Sequence, residues 1–170
     1  MLAAIRALDK KIKVKAKLLL GGGGAMVLAH GFPVSTLDLD ACFYQSPITE
    51  AEIRGEIQLV ALELSLPGDW LNPHFQTFLF SLPKDYEKRL KNVFKGPHLE
   101  VNAIGAQDLL VLKCFAGRDK DIPHARALVK KGADTEFVRQ HRFKLLDLSV
   151  PKTQQAIDFL DDLLEEFHSS

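Results

Sequence analysis

Cysteine is scarce in this chain: two in 170 residues, Cys42 and Cys114, each set among apolar neighbours. Two such thiols exclude a disulfide-stapled scaffold and a cysteine-based metal site; they read as buried thiols suited to a reducing, cytoplasmic compartment. The six histidines, at 30, 74, 98, 124, 141 and 168, never fall in a His-x-x-x-His pair, which removes the helical zinc signature. An excess of one charge is missing too. Lys+Arg and Asp+Glu are 22 each, which argues against a dedicated polybasic nucleic-acid binder while leaving room for a local patch. No apolar run approaches the roughly 18–20 residues of a membrane span. The opening MLAAIRALDKKIKVKAK passes from apolar to strongly basic, the reverse of a secretory leader. No Gly-x-Ser-x-Gly elbow and no Gly-Lys-Ser/Thr phosphate loop is present.

What is present suffices for a packed interior, with 46% hydrophobic and 26% charged residues. At this length one domain is expected. Residues 2–9 fit a short helix and Lys15–Leu20 a strand closing on a leucine triplet. Gly21–Gly24 turn the chain into a helix over Ala25–His30, which Gly31 and Pro33 stop. Leu37–Phe43 alternate apolar and polar, the period of a strand. Thr49 with Glu52 forms a capping box for a helix over Ala51–Leu64. Trp70–Pro73 read as a loop with an anchored aromatic, 75–82 as a strand, Asp85–Phe94 as an amphipathic helix and His98–Ile104 as a strand. Helices over Gln107–Ala116, Ile122–Lys131, Thr135–Leu145 and Pro151–Phe167 complete the chain; the last carries Ala156, Ile157, Leu160, Leu163, Leu164 and Phe167 at helical spacing. The expected class is α+β: a small mixed sheet flanked by helices, with the sheet-containing core over about 12–105 and a helical part over about 106–170 of a single domain.

Two constellations carry chemistry. In Thr36-Leu37-Asp38-Leu39-Asp40 the aspartates are two apart, so on a strand they share a face opposite Leu37, Leu39 and Ala41. Parallel carboxylates repel unless a cation lies between them, and oxygen ligands favour a hard ion such as Mg²⁺ or Mn²⁺. The alternative is a solvated acidic strand face. Upstream, the glycine turn runs into a helix whose first N–H groups are open to an anion. The alternative there is a simple turn. Together they place an anion cradle fewer than twenty residues before a metal-binding pair, which suits phosphoryl or nucleotidyl transfer.

The stretch LLLGGGGAMVLAHGFPVSTLDLDACF resembles the opening of the polymerase-β-type nucleotidyltransferase superfamily: strand, Gly-Gly turn, helix, then a strand bearing Asp-x-Asp. The chain is most similar to the small bacterial AbiEii and DUF6036 proteins, many of them linked to toxin–antitoxin or phage-defence loci. GAQDLLVLKCFAGRDKDIPHARAL resembles that group's downstream helix pair, so the likeness covers about residues 15–130. It implies a nucleotidyltransferase-like fold and a Mg²⁺- or Mn²⁺-dependent transfer of a nucleoside monophosphate from a nucleoside triphosphate to a hydroxyl of RNA, protein or a small molecule. Carried over, Gly22 and Gly23 match the phosphate-contacting turn, Asp38 and Asp40 the metal carboxylates, and Lys113 a nucleotide-facing lysine. Thr36 would help orient Asp38, or else cap the strand. Lys113 also stands out independently, as the one charge in LLVLKCFA: a buried ammonium needs a partner, whereas a snorkelling one does not. Glu100 is the candidate third acid, the base for the attacking hydroxyl, and its alternative is an exposed strand glutamate. Arg118 with Asp121 reads as a tie between two helices. The family often places Arg where this chain has Val34. That departure and the third acid motivate a second reading: a catalytically degenerate member that binds or regulates a partner protein from a neighbouring gene.

Overall fold

The computed structural model describes residues 1–33 and 38–168. They form two compact units: residues 1–76 with 89–104, and residues 77–88 with 105–170. The first unit carries a five-stranded mixed sheet. It opens with helix α1 (Leu2–Lys11), then strand β1 (Ala16–Leu20) and helix α2 (Gly22–His30). Strand β2 (Leu39–Phe43), helix α3 (Arg54–Leu64) and the two-residue strand β3 (Leu71–Asn72) follow, and β4 (Lys91–Lys95) and β5 (Leu99–Ala103) close the unit. β1 is central, antiparallel to β2 and parallel to β5. Leu18, Leu19 and Leu20 are buried, as expected of a strand with sheet on both sides.

Three stretches differ from the sequence reading. Residues 71–72 are strand and not loop, because β3 pairs in parallel with β2 through Leu39↔Leu71 and Asp40↔Asn72. Trp70 anchors this turn, buried, with its Nε1 donating to Ile57 O at 3.0 Å. His74–Ser81 form a 3₁₀ helix in place of the strand expected over 75–82; Pro73 opens it, with Gln76 N donating to Pro73 O at 2.9 Å. The amphipathic helix expected over Asp85–Phe94 is a short 3₁₀ turn at Tyr86–Arg89 followed by β4, which pairs antiparallel with β5. There the cross-strand ladder outweighs helical periodicity. The capping box does form, with Thr49 N and Oγ1 both donating to Glu52 Oε2, at 2.7 and 2.8 Å. It closes a turn, however, and α3 starts beyond it at Arg54.

The second unit is helical. Its α4 (Ala106–Ala116), α5 (Asp121–Lys130), α6 (Thr135–Asp147) and α7 (Thr153–His168) follow the expected order. α4 is buried without interruption from Asp108 to Phe115 and packs on α5, α6 and α7. Ala156, Ile157, Leu160 and Leu163 turn the apolar stripe of α7 inward. Both cysteines are free and buried, and burial pushes the Cys42 thiol to about 11 and the Cys114 thiol to about 12, so neither is a nucleophile at neutral pH.

The strongest polar feature of this unit joins α4 to α5. Lys113 Nζ lies 2.6 Å from Asp121 Oδ1, and Arg118 Nε donates to Asp121 Oδ2 at 2.7 Å. Burial alone would raise the Asp121 carboxyl, but the bonds from Arg118 and Lys113 outweigh it and hold the group below its ordinary 3.8. The stabilisation is therefore complete above about pH 4 and is lost as pH falls through the lower folded value. His124 adds a second acid-sensitive step, since burial and then the Lys113 charge hold it below 6.5, with Asp121 opposing. Protonation of His124 thus favours unfolding as pH drops beneath the ordinary histidine range. Asp121→Ala strands a buried ammonium and is expected to cost about 3–5 kcal/mol. Urea unfolding followed by circular dichroism at pH 7 checks this; a loss below about 1 kcal/mol would assign the pair no more than a surface bridge.

Candidate active site

The site grows from the junction of β1 and α2. Gly21 N donates to Asp40 O at 2.8 Å, extending the β1–β2 ladder by one step. This sets the glycine turn level with Asp40. Gly22 has φ +54, and a Cβ there would overlap Asp40 Oδ2. Only glycine lets the carboxylate close against the backbone at this point. Gly21 is covered by the ring of Phe75, which a Cβ would meet at 2.7 Å, and Gly24 packs against Leu39 and Leu20. Each of these three glycines permits a different close approach. The N-cap of α2 is Gly21, which has no side chain to cap the helix, and the helix start at Gly22 lies against the Asp40 carboxylate.

Asp38 and Asp40 lie on one face. Both are half-buried, while Leu39 and Ala41 between and after them are buried on the other. Asp38 Oδ2 accepts from Asn72 Nδ2 at 3.2 Å. Asn72 is buried and is the cross-strand partner of Asp40. Its Oδ1 in turn accepts from His74 N at 3.2 Å. The strand beside the aspartates therefore presents an amide at their level. Reading 71–72 as loop hid this residue; only the register with β2 reveals it.

The structure brings Asp40 against Gly22 and puts Asp38 beside Asn72, the cross-strand partner of Asp40. Glu100 does not join them, which corrects its expected place. It pairs with Lys17 across β1 and β5, and Lys17 O accepts from Tyr44 N at 3.1 Å. Glu100 is thus level with Tyr44, four residues from Asp40 along β2, about 13 Å at the usual strand rise, and two strands across. No single ion spans that separation. Its carboxylate instead accepts from Asn102 Nδ2 at 2.8 Å. Lys113 belongs to the helical unit, and its buried charge is answered by Asp121. Thr36, Val34 and Leu37 lie outside the described residues. Among the described residues no group of three or more His, Cys, Asp or Glu side chains forms a metal cluster. Two carboxylates on one face nevertheless fit a hard cation that draws its remaining oxygens from water and phosphate, as Mg²⁺ usually does.

A strand ending in glycines, a helix opening on them, and an antiparallel strand returning Asp-x-Asp to the same point define a nucleotidyltransferase-type core. The chain belongs to the family described as nucleotidyltransferase of unknown function (DUF6036), whose pattern matches residues 2–159. That is the family its glycine turn and aspartate pair resemble. No curated protein and no solved structure matches the chain.

Proposed function

We propose that this protein binds a nucleoside triphosphate with Mg²⁺ or Mn²⁺ and transfers its nucleoside monophosphate to a hydroxyl acceptor. The observation that carries this reading is the seating of the Asp40 carboxylate against Gly22, at the N-terminus of α2, with Asp38 on the same face. Asp38 and Asp40 would hold the cation, and the N–H groups of Gly22 and Gly23 would receive phosphate oxygens. The cation, when bound, neutralises charge on the phosphates. The acceptor oxygen attacks the α-phosphorus, the bond to the bridging oxygen breaks, and pyrophosphate leaves. Such a transfer needs little from the protein beyond alignment and charge neutralisation. Asn72 holds Asp38 in place, and with no carboxylate at its position the acceptor's proton passes to solvent. Thr36 remains a proposed nucleotide contact from the family resemblance, whereas Lys113, which the resemblance also offers, is engaged by Asp121. RNA, a protein or a small molecule within a cytoplasmic toxin–antitoxin or phage-defence system would supply the acceptor.

Asn72 also favours a second reading, in which the scaffold binds nucleotide or a partner protein without turnover, since an amide cannot act as base. Asp38→Ala is expected to abolish Mn²⁺-dependent nucleotide binding by titration calorimetry while leaving the melting temperature within a few degrees. Equal binding by wild type and variant refutes the metal site. Incubation with labelled triphosphates and cell extract separates the two readings: a labelled product identifies the transferase, and retained binding without product identifies the degenerate member.

A further inference from the structure

The opposite end of the sheet is rich in lysine. A cavity of about 340 Å³ opens where β1 and β5 begin, and among its lining residues are Lys15, Lys17, Lys95, His98, Gln45 and Glu100. We propose that this cavity binds the phosphate group of a phosphate ester, independently of the aspartate pair.

Register builds the charge. Lys17 pairs with Glu100 and Glu100 with Lys95, so two ammonium-bearing chains flank one carboxylate in a row across three strands. Lys15 stands two residues before Lys17 at the mouth of the same cavity. Among the described residues none of these three lysines has an ion-pair partner. The nearby Lys11 is engaged with Glu63 at 2.8 Å, and Glu100 is already held by Asn102. Three ammonium groups without an ion-pair partner, against the one carboxylate among the lining residues and with a histidine beside them, suit a phosphate better than any neutral ligand. The volume lies within the ordinary range of small-ligand sites.

The far wall is rigidly set. Asp9, buried on α1, accepts from His98 N at 2.9 Å and from Leu99 N at 2.7 Å. A Cβ at Gly96 would overlap the same carboxylate. Asp9 therefore ties α1 to the β4–β5 turn and shapes the cavity, while its own charge is satisfied by two N–H groups. A second cavity, of about 500 Å³, shares Gln45 with the first and takes in Cys42, Tyr44 and Pro73. Cys42 lies two residues beyond Asp40 on the same strand face, and Pro73 follows Asn72.

The test is made in EDTA, so that a failure here and a failure of the metal site are distinguishable. Binding of fluorescein-labelled adenosine monophosphate, and of a labelled single-stranded oligonucleotide without terminal phosphate, is followed by anisotropy at low salt. Binding of the nucleotide identifies a monoester ligand; binding of the oligonucleotide alone identifies a backbone diester. In either case Lys15→Ala/Lys17→Ala/Lys95→Ala is expected to weaken affinity at least tenfold and Glu100→Gln to tighten it several-fold. Asp38→Ala should bind as wild type does. Lys15 and Lys95 are exposed and Lys17 half-buried, so the triple variant should keep the wild-type melting temperature, and Lys15→Ala/Lys95→Ala repeats the test with the two exposed positions alone. Failure of wild type to bind both probes, or unchanged affinity in the lysine variants, overturns the proposal.

Discussion

Replacing Gly22 with alanine is expected to destroy the aspartate site while leaving a folded protein. Two independent obstacles meet at this position. The backbone is left-handed, φ +54, and the added methyl would overlap Asp40 Oδ2. The first costs about 1–2 kcal/mol for a residue with a Cβ. The second is relieved only by swinging the carboxylate away or by pulling β2 from the start of α2. Either movement separates Asp40 from the N–H groups at the helix start and spoils its alignment with Asp38. Mn²⁺-dependent nucleotide affinity should fall at least tenfold, and the melting temperature by several degrees at about 2–4 °C per kcal/mol for a chain of this length. Gly55→Ala is the matched control. A Cβ there meets nothing within 4 Å, and the residue lies inside α3, so this change should stabilise by about 0.5–1 kcal/mol. The opposite signs of the two substitutions separate a general glycine effect from the contact with Asp40. Wild-type metal affinity in Gly22→Ala would show that the carboxylate does not need its seat.

The parts of the site that were legible in the sequence are those written in local pattern. The β1–α2 junction shows as an apolar strand meeting four glycines, and the aspartate pair as alternation on one strand. The helices of the second unit show as 3.6-residue periodicity, α4 through its unbroken apolar run and α7 through its stripe. What was not legible depends on pairing between distant segments. The residues of β4 carry a pattern that serves a helix as well as an edge strand, and only the ladder with β5 decides. β3 has two residues, too few for any periodicity, and its meaning comes wholly from lying beside Asp40. The family resemblance makes Glu100 the candidate third acid; the register sends it to the other end of the sheet, beside lysines 5 and 83 residues away in the chain. Lys113 was conspicuous as a lone charge, and the reason for it is the partner Asp121 in the next helix.

Asn72→Asp is expected to have the opposite effect to Gly22→Ala: it should strengthen the site. The substitution places a third carboxylate at the cross-strand position of Asp40 and within reach of Asp38, where Asn72 Nδ2 now lies 3.2 Å from Oδ2. Without a cation the change is unfavourable. It removes a hydrogen bond worth about 1 kcal/mol and brings a third negative charge to two others, which repel. The metal-free variant should therefore melt below wild type. With Mn²⁺ the balance reverses, because a charged oxygen ligand replaces the Nδ2 group that Asn72 turns to Asp38 while its Oδ1 is engaged by His74 N. The melting temperature should rise further on Mn²⁺ addition than it does in wild type, since a ligand that binds only the folded state stabilises in proportion to its affinity. If transfer is limited by the missing base, the new carboxylate should also raise turnover, by up to the 10²–10⁴-fold typical of a positioned base. Thermal melts with and without Mn²⁺, beside product formation from a labelled triphosphate, read both effects. A variant whose melting temperature responds to Mn²⁺ no more than wild type does would mean that the position beside Asp40 does not face the cation, and Asn72 would then be a strand residue and nothing more. A larger response without any product would place the protein with the nucleotide-binding, non-transferring members, because metal would be held well and chemistry would still be absent.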